Sequence, residues 1–210
     1  MGILETIGQW VISLISQTGY FGVFIAMTIE SCLIPLPSEV TMPFAGALAQ
    51  QGTLNLYLVA LVGALGNLVG SWGAYAIGYK FPESIILSFI RKWGKFIFLT
   101  EHEYEKVKGW LSRYGSFVSF FSRLLPGIRT VISLPAGVAR INFLKFSIYT
   151  FLGSLIWSFL LAFIGYKLGE NWEHIKNYFH KFDLVIVLVL AIFIVLYIYK
   201  HIKVQKREGH

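Results

Sequence analysis

The sequence predicts an all-α integral membrane protein of two inverted repeats, each a Pro-broken re-entrant hairpin plus a transmembrane helix, with amphipathic helices and a C-terminal transmembrane helix. Three observations predict it. Of 210 residues, 56% are hydrophobic and 14% charged, with a mean hydropathy of +0.65, where a soluble chain carries about a quarter charged residues. Apolar runs long enough to cross a hydrocarbon layer of about 30 Å recur along the chain. Two sequence blocks also appear twice at matching spacing.

Taken in order, residues 1–18 form an interfacial amphipathic helix: Ile3, Ile7, Trp10, Val11 and Leu14 share one face, with Glu5 and Gln9 elsewhere. The segment lacks the basic stretch of a cleavable signal, since the first Lys or Arg of the chain is Lys80. Residues 19–53 are too apolar for water yet are interrupted by Pro and Gly, and read as a first re-entrant hairpin. Residues 54–79 are a transmembrane span.

Residues 80–114 are wet, with Lys80, Arg91, Lys92, Lys95, Lys106, Lys108 and Arg113 against Glu83, Glu101, Glu103 and Glu105. They read as a cytoplasmic amphipathic region by the positive-inside rule. Residues 115–142 form a second re-entrant hairpin, with Asn142 placed to cap the span at 143–167. Residues 182–202 are a C-terminal transmembrane helix followed by the basic tail of Lys203, Lys206 and Arg207, which puts the C-terminus in the cytoplasm. With both basic regions inside, the two hairpins must each start and end on one side and enter from opposite faces; a plain crossing by 19–50 would instead invert the N-terminal segment.

The repeat lies in "IPLPSEVTMPFAG" (34–46) and "LPGIRTVISLPAG" (125–137), where Pro35 matches Pro126 and Gly46 matches Gly137. "GNLVGSWGAYAIGYK" (66–80) and "GSLIWSFLLAFIGYK" (153–167) then match from Gly to Gly-Tyr-Lys. The matched spans cross in opposite directions, an arrangement that places a site near the midplane between broken helices. Pro35, Pro37, Gly46, Pro126, Gly127, Pro135 and Gly137 are its structural residues.

The hairpins differ in charge. The first holds Glu30 and Glu39 and no base, and the second holds Arg123 and Arg129 and no acid. Each unpaired charge at membrane depth costs about 2.5 to 3.5 kcal/mol, so the four must pair with one another, bind a ligand or line a wet cavity. One reading is a structural clamp. The other is an anion site, because two guanidinium forks around Pro126-Gly127 suit bidentate phosphate binding, and a carboxylate beside them is a proton carrier.

The net charge of +7 flanks apolar spans rather than forming one stripe, which excludes nucleic acid as a partner. The single Cys32 excludes an internal disulfide. His102, His174, His180, His201 and His210 lie outside the apolar segments without metal-ligand spacing, so no metal or cofactor is expected. Ser122 has no base beside it. The tryptophans read mostly as an interfacial belt.

The segments "ESCLIPLPSEVTMPFAGALA" (30–49) and "SRLLPGIRTVISLPAGVARINFLKF" (122–146), followed by Gly153 and Trp157, resemble the DedA family of bacterial membrane proteins, which shares its core with eukaryotic lipid scramblases. The resemblance covers about residues 20–168. One departure is Asn142, close to where the family often has Met.

The resemblance implies Glu30 and Glu39 as the acidic, proton-coupling positions and Arg123 and Arg129 as the phosphate-binding ones. It implies a multi-pass protein of the bacterial cytoplasmic membrane that is not an enzyme. It would move undecaprenyl phosphate from the outer to the inner leaflet, with protons as the second partner, and a homo-oligomer is compatible with it. The rival readings are a translocase or scramblase for phosphatidylethanolamine or another phospholipid, a proton-coupled ion or osmolyte antiporter, and an intramembrane lipid phosphatase.

Overall fold

The computed structural model describes residues 3–32, 38–97, 101–125 and 128–169. The expected C-terminal span at 182–202, the basic tail, Trp172, and His174, His180, His201 and His210 lie outside them, as do Pro35, Pro37, Pro126 and Gly127. Every element among the described residues is helical. In order these are α1 (Ile3–Thr18), α2 (Tyr20–Ser31), α3 (Ser38–Gln50), α4 (Leu56–Lys80), α5 (Glu83–Ile97), α6 (Glu101–Tyr114), a 3-10 turn (Gly115–Phe117), α7 (Val118–Ser122), α8 (Ile128–Val131), α9 (Ser133–Val138) and α10 (Phe143–Leu168).

Two of these, α4 and α10, are long and apolar enough to cross a membrane. Both start at an asparagine cap: Asn55 Oδ1 accepts from the amides of Tyr57 and Leu58, and Asn142 Oδ1 accepts from Lys145 N at 2.9 Å. The helix α4 stops at Lys80 because Pro82 disfavours helical geometry in the residue before it. The two helices run antiparallel. Tyr57 stacks on Phe159 at 6.0 Å, and Tyr75, at the other end of α4, stacks on Phe146 at 5.0 Å. Between those ends the Trp72 Nε1 donates to Ser147 Oγ at 2.9 Å. Their outer faces, including Leu61, Leu65 and Val69 on α4 and Leu152, Ile156 and Phe163 on α10, are exposed and apolar, as a lipid-facing surface requires.

The shorter helices pack on this pair through backbone contact. A Cβ at Gly46 of α3 would meet the Ala162 carbonyl oxygen of α10 at 1.9 Å, and one at Gly165 would meet the Pro43 carbonyl oxygen at 1.9 Å. The matched glycines do the same on the other side: a Cβ at Gly137 of α9 would meet the Tyr75 carbonyl oxygen at 2.1 Å, and one at Gly78 would meet that of Leu134 at 2.1 Å. The first helix of each segment lies instead against the span that follows it. A Cβ at Gly66 would sit 2.6 Å from the Phe24 carbonyl oxygen, and one at Gly153 would sit 2.7 Å from that of Phe120. Small residues permit such approaches where lipid supplies no hydrophobic drive between helices.

The helix α1 buries Val11 of its expected face together with Ile15 beside it. Val11 and Ile15 are fully buried and pack with Val23, Met27 and Met42, while Trp10 is half exposed. The burial follows the i, i+4 spacing of Val11 and Ile15, and it comes from the turn at Gly19, whose φ of 59° folds α1 back against α2 and α3. The pair α5 and α6 is likewise packed onto α8 and α9: Ile86, Ile90 and Tyr104 bury against Val131 and Leu134. Glu83 staples it by accepting from Lys108 Nζ at 2.5 Å and from Tyr104 Oη at 3.1 Å.

Candidate functional site

All four expected ionisable residues sit where a helix is interrupted. Glu30 is in the last turn of α2, Glu39 in the first turn of α3, Arg123 just after α7, and Arg129 within the four-residue α8. Short broken helices bring charges together here because each break ends the apolar repeat and frees a position for a polar group. The first turn of α3 also favours a carboxylate through the helix dipole.

Three of the four charged residues are joined directly. Arg129 Nη2 donates to Glu30 Oε1 at 2.6 Å and to Glu39 Oε1 at 2.9 Å, and also to Ser38 Oγ. Its guanidinium lies 5.4 Å from the centre of the Trp157 ring. The two carboxylates differ: the Glu30 side chain is 3% exposed and that of Glu39 48% exposed. Arg123 is 2% exposed and stands apart, since its Nη2 donates to Ser133 Oγ at 2.8 Å and no ion pair to it is found among the described residues. Of the two arginines, one is shared by two acids and the other is a buried cation held by a hydroxyl.

Both arginines and Glu30 border one cavity, with Asn67 of α4 and Ser154 and Trp157 of α10 completing its wall. The cavity has room for about one water molecule. Asn67 accepts from Ser31 Oγ at 2.7 Å, which fixes the end of α2 against the middle of α4. Asn67 and Ser154 are sequence-matched positions of the two spans, so each long helix contributes the equivalent residue to the wall.

Asn67, Ser154, Ser38 and Ser133 carry no role in the sequence reading, and Trp157 enters it only beside the second motif. Two signals could have found Asn67 and Trp157. Asn67 is the one amide within an otherwise apolar helix of 25 residues, and Trp157 lies near the middle of α10, where an interfacial belt does not reach. That places Trp157 in the site rather than in the belt. Ser122 donates to Ser119 O at 2.9 Å, and His102 is exposed. Cys32 Sγ lies 3.5 Å from Gly70 O. Among the described residues no three His, Cys, Asp or Glu side chains come together to hold a metal ion.

The chain matches the VTT domain over residues 36–167. It is 35% identical over its full length to an uncharacterized membrane protein, YkoX, of Bacillus subtilis, covering 90% of that protein. It is 30% identical to undecaprenyl phosphate transporter A of the same organism, over 89% of this chain and 90% of the other. An alkaline phosphatase-like protein of Lactococcus lactis is 32% identical over 92% of this chain and 91% of its own length. No solved structure matches it. With the motif at residues 122–146 and most of that at 30–49 inside the matched region, and with two helices long and apolar enough to cross a membrane, the chain belongs to the VTT-domain, or DedA, family of membrane proteins.

Proposed function

We propose that the chain is a transporter of a polyprenyl phosphate carrier lipid, undecaprenyl phosphate, moving it from the outer to the inner leaflet of the bacterial cytoplasmic membrane with proton coupling. The observation that carries this reading is the pair of buried arginines on one small cavity between two interrupted hairpins. A buried guanidinium with no carboxylate of its own is a receptor for an anion, and membrane depth strengthens the attraction. The name borne by two relatives, one in Bacillus subtilis and one in Staphylococcus aureus, supports a phosphate-bearing lipid as that anion.

Charge balance links the lipid to protons. Two arginines and two glutamates sum to zero, so a phosphate arriving at the site leaves it negative unless a carboxylate takes up a proton. Glu30 is the buried one and Glu39 the half-exposed one, which suits Glu30 to hold the proton and Glu39 to exchange it with water. Arg129 bonds both acids through Nη2 alone, which leaves its Nε side to a phosphate while the carboxylates hold the other. The headgroup would cross within the protein while the prenyl tail stays in lipid.

The same reading takes 19–53 and 115–142 as re-entrant hairpins from opposite faces of two inverted repeats. At 12 and 13 residues, α2 and α3 are each about 20 Å long or less, too short to cross. The antiparallel spans and the duplicated glycine contacts also support it. A phosphatase, the other activity named among the relatives, would need an activated nucleophile beside the arginines; the hydroxyls that touch them, Ser38 and Ser133, accept from the guanidinium groups, and Ser122 donates to backbone.

The test is leaflet movement of undecaprenyl phosphate in liposomes containing the purified protein, with and without an inward proton gradient, beside phosphatidylethanolamine as competitor. Movement enhanced by the gradient and unaffected by the competitor is expected. Equal, gradient-independent movement of both lipids would overturn the coupled carrier in favour of a scramblase, and release of inorganic phosphate would favour the enzyme.

A further inference from the structure

The cavity wall contains more donors than the arginine forks, and they have nothing to donate to. Among the described residues, Arg123 Nε, Arg129 Nε, Trp157 Nε1 and Ser154 Oγ are buried without a hydrogen-bond partner, and all four belong to residues lining the same cavity. Glu30 Oε2 is the one unpartnered carboxylate oxygen there. An indole N–H is a donor only, and so is a guanidinium N–H. Buried polar groups in native proteins are rarely left unpaired, so a cluster of donors on one cavity marks a place where acceptors come from outside the chain.

Trp157 is held in place for this. Its ring faces the Arg129 guanidinium at 5.4 Å, so the ring plane is set by the same arginine that Glu30 and Glu39 orient. Ser154 lies three residues earlier on α10 and so on the same helical face, and its neighbour Gly153 lets Arg123 approach: a Cβ there would meet the Arg123 Cβ at 2.9 Å. Trp157 and Ser154 of α10 and the adjoining Arg123 thus line one small volume, with their unpartnered donors buried in its wall.

We propose that Trp157 Nε1 and Ser154 Oγ are ligands of the lipid's terminal phosphate and select a phosphate monoester over a zwitterionic phosphodiester headgroup. The inference rests on the reading of the site as a receptor for a lipid phosphate. A monoester offers three terminal oxygens, all acceptors, to match an excess of donors; a phosphodiester offers two, and an attached ammonium would bring further donors to a wall that already has too many.

The experiment measures binding of a short-chain polyprenyl phosphate, of the matched polyprenol, which lacks the phosphate, and of a short-chain phosphatidylethanolamine to the full-length protein in nanodiscs. Losing the indole N–H should narrow the preference for the phosphate over phosphatidylethanolamine, and an unchanged preference would overturn the selection. Trp157→Phe keeps the ring over Arg129 and removes the N–H. Wild type is expected to prefer the phosphate, and Trp157→Phe to lose about 10-fold in phosphate affinity, the scale of one hydrogen bond to a charged group, with polyprenol affinity unchanged. Ser154→Ala should show the same selective loss at about 3-fold, and it keeps the proposal testable if the Phe variant fails to fold. A Trp157→Phe protein that binds both lipids as wild type does, or that loses both equally, overturns the role of the indole while leaving the receptor intact. Wild type that binds the phosphate and the alcohol equally overturns the receptor reading itself, and this proposal with it.

Discussion

Arg129 and Glu30 lie 99 residues apart in the chain and 2.6 Å apart in the structure, with both side chains less than a tenth exposed. The pair ties the end of α2 to α8 and so joins two interrupted helical segments. Removing one member of a buried pair leaves the other as an uncompensated charge, at about 3 to 5 kcal/mol. Arg129→Met should therefore destabilise the fold, and the double variant Arg129→Met with Glu30→Gln should recover most of the loss. Thermal melts of the purified variants in detergent, arranged as a double-mutant cycle, measure the coupling; additive losses would mean the pair contributes little beyond its separate members.

The four glycines at the helix crossings predict a matched pattern of damage. Alanine at Gly46, Gly165, Gly78 or Gly137 places a carbon about 2 Å from a backbone oxygen, so the helices must separate, at about 1 to 3 kcal/mol each. Gly109 in α6 has nothing within 4 Å of an added Cβ, and Gly109→Ala should instead stabilise by about 0.5 to 1 kcal/mol through helix propensity. Melting temperatures of the five single variants check this, and tolerance at Gly46 and Gly165 alone would show that the two crossings are not equivalent.

Much of this was legible in the residues because membrane chemistry is strict. Long apolar runs marked α4 and α10 as the helices able to cross, and four ionisable groups in apolar surroundings had few places to go except one another's company. The division between the arginines was not legible. Arg123 and Arg129 look alike in sequence, six residues apart around Pro126, and only the tertiary contacts assign both acids to Arg129 and a serine to Arg123. The packing of α1 was not legible because an amphipathic helix on a bilayer and one packed on a neighbour share a periodicity, and it is the turn at Gly19 that brings Val11 and Ile15 against α2 and α3. Trp157 was masked by a compositional rule about tryptophan that its place mid-helix should have overridden.

The staple between α5 and α6 carries a pH dependence. The hydrogen bond from Lys108, with a smaller one from Tyr104, holds the Glu83 carboxyl below its ordinary value of 4.5, and partial burial opposes them. A carboxyl whose folded pKa lies below its unfolded one contributes stability above the unfolded value and loses it as pH falls through the folded one. Glu83→Gln should accordingly lower the melting temperature at neutral pH and make no difference well below pH 4.5. Because both side chains are about a third exposed, the effect should stay under about 1 kcal/mol. A gap between wild type and variant that persists unchanged into acid would assign the loss to packing rather than to the ion pair.

Arg123 predicts the opposite stability response from Arg129. It is buried, carries no ion pair among the described residues and leaves Nε unpartnered, so the folded chain retains a charge whose structural return is the one hydrogen bond to Ser133. Arg123→Met keeps the apolar stem that packs against Gly153 and removes that charge. It should leave the melting temperature equal to or above that of wild type while abolishing phosphate-lipid movement in liposomes. Arg129→Met should lose both. A protein that pairs higher stability with lost transport at Arg123 stores its unfavourable charge for the substrate, whereas a clear loss of stability in Arg123→Met would return that arginine to the structural clamp.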